Sequence, residues 1–457
     1  MSAPGDKRVL LLVASLASFL VPYTVSSLNV ALPAISTSFD IDAVTLGWVT
    51  SAYLLTAAIC IVPFGKLADL YGRKKFFILG NALFAIGSFL AAISWSGSVI
   101  IIARVIQALG GAMVFSTSVA IVTAVFPPGE RGRAIGIITA TVYGGLSLGP
   151  FIGGVLVHNI GWPSIFLLNI PLALIVIVAT VLYIPQEWAE SGERRFDLTG
   201  AALYGVMLFG CIYGLTLLPT LPGILWMAFG ITVLAVFIRW EERVPVPIIE
   251  LALFRKNTAF LFSNLAALIN YAVVFAVGFL LSLYLQYNRG IDPQMAGLIL
   301  IAQPVVQMVI SPISGHYSDS IEPRILATAG MACTTAGLVI LMFISPETPI
   351  PVIILGLVVL GFGYGLFSSP NTNAIMSSVD SRYLGIASGM VSTMRSVGQM
   401  LSLAIAMLVF SAVIGTVPIS PAVYPQLQQS VNIAFFIFAV LSLVGIWASY
   451  TRGRIRT

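Results

Sequence analysis

Fourteen long apolar stretches run through this chain, and none of its 17 carboxylates falls inside one. A spanning helix needs about 20 apolar residues, because lipid offers nothing to a backbone or side chain that still wants a hydrogen bond. An ionisable group within such a helix is costly enough to be a functional candidate by default, so missing charges are as informative as those present. The expected fold is all-α and integral to the membrane, and the pattern points to transport. The stretches lie near 9–36, 45–65, 76–95, 98–125, 134–158, 163–184, 198–218, 222–238, 259–287, 294–315, 325–344, 350–377, 386–413 and 430–450. Their even number puts both termini on one side.

Composition agrees. Charged residues are 9% of the chain, against roughly 25% in soluble domains, so the chain could not cover itself with polar surface. The net charge of +5 does not imply nucleic acid, since the basic residues flank apolar segments and form no basic domain. Nineteen of the 22 basic residues fall in alternate loops, beginning with Lys7 and Arg8 and ending with Arg452, Arg454 and Arg456. Short loops rich in Lys and Arg stay in the cytoplasm, which places both termini there. Arg289 stands alone on the other side, and Arg104 and Arg395 lie inside spans. Cys60, Cys211 and Cys333 have no CxxC or His/Cys spacing, and His158 and His316 sit singly at span ends, so neither metal nor cofactor is expected. Met1 to Arg8 precede the first span with no small-residue cleavage site after it, so that span reads as a retained helix.

A repeat organises the chain. Gly65-Lys-Leu-Ala-Asp69 recurs as Gly315-His-Tyr-Ser-Asp319, 250 positions on. Phe115-Ser116 recurs as Phe367-Ser368 at an offset of 252, and Arg131 as Arg382 at 251. Two six-helix pseudo-repeats are expected, 1–185 and 259–457, with two extra spanning helices in 186–258. Duplicated halves that rock about a midplane site are a common transporter design.

The segment Gly65-Lys-Leu-Ala-Asp-Leu-Tyr-Gly-Arg-Lys-Lys75 resembles the loop signature of the major facilitator superfamily, and Arg104-Val-Ile-Gln-Ala-Leu-Gly-Gly111 resembles its fourth-helix motif. Gly145-Leu-Ser-Leu-Gly149-Pro150-Phe-Ile-Gly153-Gly154 is similar to the motif of its antiporters. With fourteen spans, Asn29-Val-Ala-Leu-Pro33, and Phe196-Asp-Leu-Thr-Gly200 before the extra pair, the whole chain resembles the 14-helix drug:proton antiporter family. The resemblance implies the inner membrane of a prokaryote and, for Arg104, a link to proton coupling.

The residues carry their own reading. Asp69 and Arg73 at a helix end, with Gly65 and Gly72 allowing close backbone approach, can latch one conformation and release it, as can Gly315 and Asp319 in the second copy. Gly149, Pro150 and Gly153 allow a close crossing and a bend, serving packing or occlusion. Arg104 shares a helix face with Gln107 and Gly111 and should point into the bundle. Ser388, Ser392, Arg395, Gln399 and Ser402 fall on one face of the thirteenth span, and in lipid that face must meet protein or water. A cavity wall with Arg395 as its charge is expected. Further cavity candidates are Asn29, Asn264, Tyr271, Gln303, Gln307, Asn371 and Asn373. Thr24 stands where the family usually has a membrane-embedded aspartate, which questions both proton antiport and cation preference.

The expected function is export of lipophilic or amphiphilic small molecules by alternating access, with proton coupling left open and the protein a monomer. Two alternatives remain: a carrier of an anionic or zwitterionic amphiphile neutralised by Arg395, and a non-transporting sensor or scaffold. No Ser/His/Asp set, metal box or phosphate loop suggests an enzyme.

Overall fold

The computed structural model describes residues 7–126, 128–184, 187–188, 196–245, 247–249, 251–318, 320–379, 384–415 and 417–453, with side chains excepted at 128–133, 135, 136, 139, 251, 252, 256, 384–386 and 388. Fourteen of its helices are long and apolar enough to cross a membrane. In chain order these are α1 (Lys7–Phe39), α2 (Ala43–Tyr71), α3 (Arg73–Ala92), α4 (Gly97–Val125), α5 (Pro128–Asn159), α6 (Pro163–Tyr183), α7 (Leu198–Leu217) and α8 (Leu221–Glu241). The second half follows as α9 (Thr258–Asn288), α10 (Pro293–Tyr317), α11 (Pro323–Leu341), α12 (Ile350–Ser377), α13 (Leu384–Val413) and α14 (Tyr424–Thr451). Among the described residues there is no named strand.

Carboxylates excluded from the apolar stretches serve instead at helix starts. Asp42, Asp197 and Asp292 are the N-caps of α2, α7 and α10, each accepting from free backbone N–H groups of the first turn. The segment expected as a loop after the second span is mostly helix, however. Its Lys-Leu-Ala run sustains α2 to Tyr71, and Gly72 alone turns the chain, at φ 119°, before α3 starts at Arg73.

The repeat is visible as packing. An added Cβ at Gly80 would lie 3.0 Å from Gly110 O, joining α3 to α4; at Gly330 it would lie 2.7 Å from Gly363 O, joining α11 to α12. Gly80 and Gly330 are 250 positions apart, and Gly87 and Gly337 repeat the arrangement one turn pair later. Close crossings of this kind replace the hydrophobic drive that lipid withholds from helix association.

The two halves close on each other at the face opposite the termini. Pro33 has no N–H for the Asn29 carbonyl four residues back, and that freed oxygen accepts the Ser282 hydroxyl of α9. Gln286 Nε2 donates to Val30 O at 3.0 Å and Tyr287 OH to Pro33 O at 3.2 Å. Gly47 of α2 seats Met407 of α13, and Gly154 and Gly297 bring α5 and α10 into backbone contact. The extra pair lies beside this seam, with α7 packed on both α2 and α13. Gly205 meets Ile59 and Tyr213 meets Trp48, while Lys66 Nζ donates to Pro247 O at 2.7 Å in the segment after α8.

Candidate functional site, a cavity with one arginine

Three spanning helices are broken. In α6 the break is at Leu168, in α9 at Phe275 and in α10 at Ile301. Pro304 removes the bond that would reach the Leu300 carbonyl and so accounts for the break in α10. In α9 the Ala276 N–H leaves the helix ladder for Ser402 Oγ, 2.9 Å away on α13. Irregular backbone at membrane depth is tolerated where protein or a cavity satisfies it, and Leu300, Pro304 and Phe275 all line a cavity.

That cavity has two lobes, which share Val25, Leu146, Phe275 and Gln399. The first, about 770 Å³, lies between α1, α5, α9, α10, α12 and α13 and holds Ser26, Asn29, Tyr271, Gln303, Gln307 and Tyr364 among its walls. The second, about 720 Å³, adds Tyr53, Gly111 and Phe115 from the first half and Ser392, Arg395 and Ser396 from α13. No Asp or Glu lines either lobe, and Arg395 is the one charged residue among the described walls.

Arg395 is posed by aromatics. Its Nε donates to Tyr271 OH at 3.2 Å and its guanidinium lies 5.4 Å from that ring's centre. Tyr364 packs edge-on against Tyr271 with centroids 5.8 Å apart. Tyr143 from α5 reaches Ser368 on α12 at 3.3 Å, which brings a third phenol into the arginine's surroundings and ties the two halves together. Nε is the only nitrogen of Arg395 that hydrogen-bonds among the described residues, so both terminal nitrogens remain available to a ligand.

Arg104 is placed quite differently. It is completely buried, donates from Nε to Val49 O at 3.1 Å, bonds Gln107 through a terminal nitrogen, and stacks 4.3 Å from the Tyr53 ring centre. Gln107 continues to Ser88 Oγ at 2.7 Å. The arginine thus points into the bundle, as its helix face indicated, but it knits α2, α3 and α4 behind Tyr53 and lines neither lobe.

Several cavity candidates also lie elsewhere. Thr24 is fully buried and turns to Asn169 Oδ1 on α6, 3.0 Å away, because that side of α1 packs within its own half. Asn264 bonds Phe260 O in its own helix, Asn373 bonds Ser318 Oγ, and Ser402 is consumed by the break in α9. Asn371 accepts from Arg452, a buried residue just beyond α14 that also reaches Pro323 O at 2.8 Å. Burial pushes the Arg452 pKa down to about 10, so it remains a cation at neutral pH and must be held by such acceptors. Asn29, Tyr271, Gln303, Gln307, Ser392, Arg395 and Gln399 do line the cavity. Gly149 and Gly153 press on Ser26 and Ser27 of α1, whereas Pro150 faces the first lobe.

At the termini's face, Arg73 Nε meets Asp69 Oδ1 at 2.6 Å and a terminal nitrogen reaches Ala120 O on α4 at 3.2 Å. Gly65 faces Ser116, and Gly315 faces Ser369 in the second copy. Asp319 lies outside the described residues. Glu187, in the segment after α6, accepts from Lys74 N at 2.8 Å against Gly72. Tyr364, Tyr143 and Phe275 escaped the sequence reading. The first two carry one signal: Tyr364 stands between glycines and Tyr143 precedes two, so each ring has room to reach across a helix seam.

The sequence model of the Major Facilitator Superfamily matches residues 14–403 and 264–455. The riboflavin transporter RibZ of Clostridioides difficile is 33% identical over 394 residues, 86% of this chain and 85% of that one. The multidrug resistance protein Stp of Mycobacterium tuberculosis is 34% identical over 412 residues, 88% and 75% of the two chains. The tetracenomycin C resistance and export protein of Streptomyces glaucescens is 30% identical over 395 residues, 85% and 73%. In fold, the chain is similar to the crystal structure of a bacterial homolog of the human lysosomal transporter Spinster, solved inward-facing and unoccupied, with a TM-score of 0.72 at 16% identity over 98% of this chain and 96% of that one. Matched by the family model along nearly its whole length, this fourteen-helix membrane protein belongs to the major facilitator superfamily of transporters.

Proposed function

We propose that the chain exports amphiphilic organic molecules by alternating access, taking them up into the two-lobed cavity from the cytoplasmic side. The observation that carries this is the cavity itself: mid-helix, apolar over most of its wall, edged by amides and phenols, and charged only at Arg395. The excess of Lys and Arg in the loops on the termini's side supports a cytoplasmic location for that face. The seam closed at the opposite face then belongs to an inward-open state. Residues 1–185 and 259–457 move as the two rocking bodies, 186–258 riding at their seam, and Asp69 with Arg73 holds one of the two states. Multidrug resistance and export proteins among the relatives support efflux, and a riboflavin transporter among them widens the class beyond lipophilic cations.

Arg395 favours an anionic or zwitterionic substrate over a cationic one. An arginine keeps its proton at physiological pH and cannot itself shuttle protons, so any proton coupling runs through a group outside the cavity. Purified protein in liposomes tests the transport reading. Protein-dependent accumulation of a fluorescent anionic amphiphile, saturable and abolished by a competitor, is expected. Leakage equal to that of empty liposomes would leave a sensor or scaffold as the better reading.

A further inference from the structure

Both lobes keep polar groups that no described residue satisfies, the Tyr53 hydroxyl and the Arg395 terminal nitrogens in the second and a set of amides in the first. Arg395 and Tyr271 hydrogen-bond each other. The carboxamides of Asn29, Gln303, Gln307 and Gln399 line the first lobe, yet among the described residues none of these four side chains makes a hydrogen bond. Asn29 Oδ1 is buried with no partner among the described residues, and Gln307 is only 5% exposed. Gln303 and Gln307 are one turn apart on α10, so both amides lie along one stripe, with Asn29 of α1 and Gln399 of α13 contributed by other walls of the lobe. Buried polar groups are ordinarily bonded to protein, water or ligand, so amides left unbonded by the protein at a cavity wall are open to a ligand.

Each amide offers an acceptor beside a donor. Its complement is a ligand edge with the same alternation, as in a lactam or a cyclic imide. Apart from Ser26, Tyr271 and Tyr364, the rest of the lobe is apolar, with Val25, Leu146, Val274, Phe275 and Leu300 among its walls. A sugar would set hydroxyls against those walls, whereas a flat ring presents apolar faces and concentrates its polarity at the edge. A cation would find no carboxylate and would sit beside Arg395, which the second lobe presents across the shared Gln399.

We propose that the first lobe is a recognition site for planar, uncharged heterocycles bearing a lactam or imide edge, with any anionic substituent directed past Gln399 to Arg395. The inference rests on the cavity being the substrate site, but binding can be measured without transport. Naphthalimide and its N-methyl derivative share a ring and differ by the blocked imide N–H, so titrating the purified full-length protein with each by probe fluorescence isolates the edge. Wild type should prefer the free imide by about tenfold or more, and Gln303→Leu combined with Gln307→Leu should abolish the preference while unfolding at a similar temperature. Equal affinity for both probes, no binding of either, or a preference that survives both substitutions would overturn the proposal; the wild-type comparison decides it even if the double variant misfolds. Selective binding without transport in liposomes would sink the export reading and leave this site standing. Transport of an amphiphile without the imide preference would do the reverse.

Discussion

Arg104 and Arg395 are both arginines at membrane depth, both stacked beside a tyrosine, and yet they do different work. Arg104 lies 4.3 Å from the Tyr53 ring centre and spends its hydrogen bonds on Val49 O and Gln107, with no exposed surface. Arg395 lies 5.4 Å from the Tyr271 ring centre, bonds only that phenol among the described residues, and keeps two nitrogens in the cavity. The difference teaches that a charge in a span becomes a binding group only when its unfilled donors open on a cavity; Arg104 also has an unpaired terminal nitrogen, but it is sealed in protein. A guanidinium sealed away from the cavity, bonded to one carbonyl and one amide and stacked on a ring, is a rivet.

The comparison can be broken first on stability. Arg104→Ala would leave Gln107 and the Val49 carbonyl partly unpaired in a sealed interior and is expected to cost roughly 3 kcal/mol, read as a fall in the unfolding midpoint of detergent-purified protein. Arg395→Ala, at a cavity wall, should cost less than about 1 kcal/mol. Comparable losses for the two would erase the distinction. A second break concerns rate. Asp69→Asn removes the charge that Arg73 meets at 2.6 Å, far along α2 from the cavity, so transport should slow several-fold while the equilibrium dissociation constant stays within about twofold, since a latch biases exchange between states rather than contact with the ligand. Weakened binding at unchanged turnover would place Asp69 in the site instead.

Smaller effects sharpen the picture. Tyr364→Phe keeps the ring against Tyr271 and removes one hydroxyl from the first lobe; a loss of about 1 kcal/mol in the binding of an anionic substrate is expected, near fivefold in affinity. Lys66→Ala deletes the bond to Pro247 O that ties the signature segment to the extra pair. Its expected cost is about 0.5–1 kcal/mol of stability, with substrate affinity unmoved.

The fourteen helices and the repeated close crossings were legible because lipid imposes simple rules: apolar length, small residues at crossings, and polar residues facing inward. Inward facing was where the reading stopped. Thr24, Asn264 and Asn371 are polar residues within spans just as Asn29 and Gln303 are, but a helix in a bundle has two inward directions, toward its own half and toward the other half. Thr24 finds Asn169 within its half, and Asn29 faces the cavity five residues later. Only the crossing of neighbouring helices decides between them, and crossing depends on contacts far apart in sequence. Proline breaks were partly legible: Pro304 marks the interruption in α10, whereas the break in α9 has no proline and rests on Ser402 arriving from another helix.

The central claim is that Arg395 reads the charge of the substrate. Isothermal titration of wild type and Arg395→Gln with an anionic amphiphile and with a lipophilic cation of similar size tests it most directly. Loss of a charge-assisted bond of about 1.5–3 kcal/mol should weaken the anion by roughly 10- to 150-fold, with the cation unchanged or bound more tightly. Equal changes for both ligands, or none for the anion, would contradict the account.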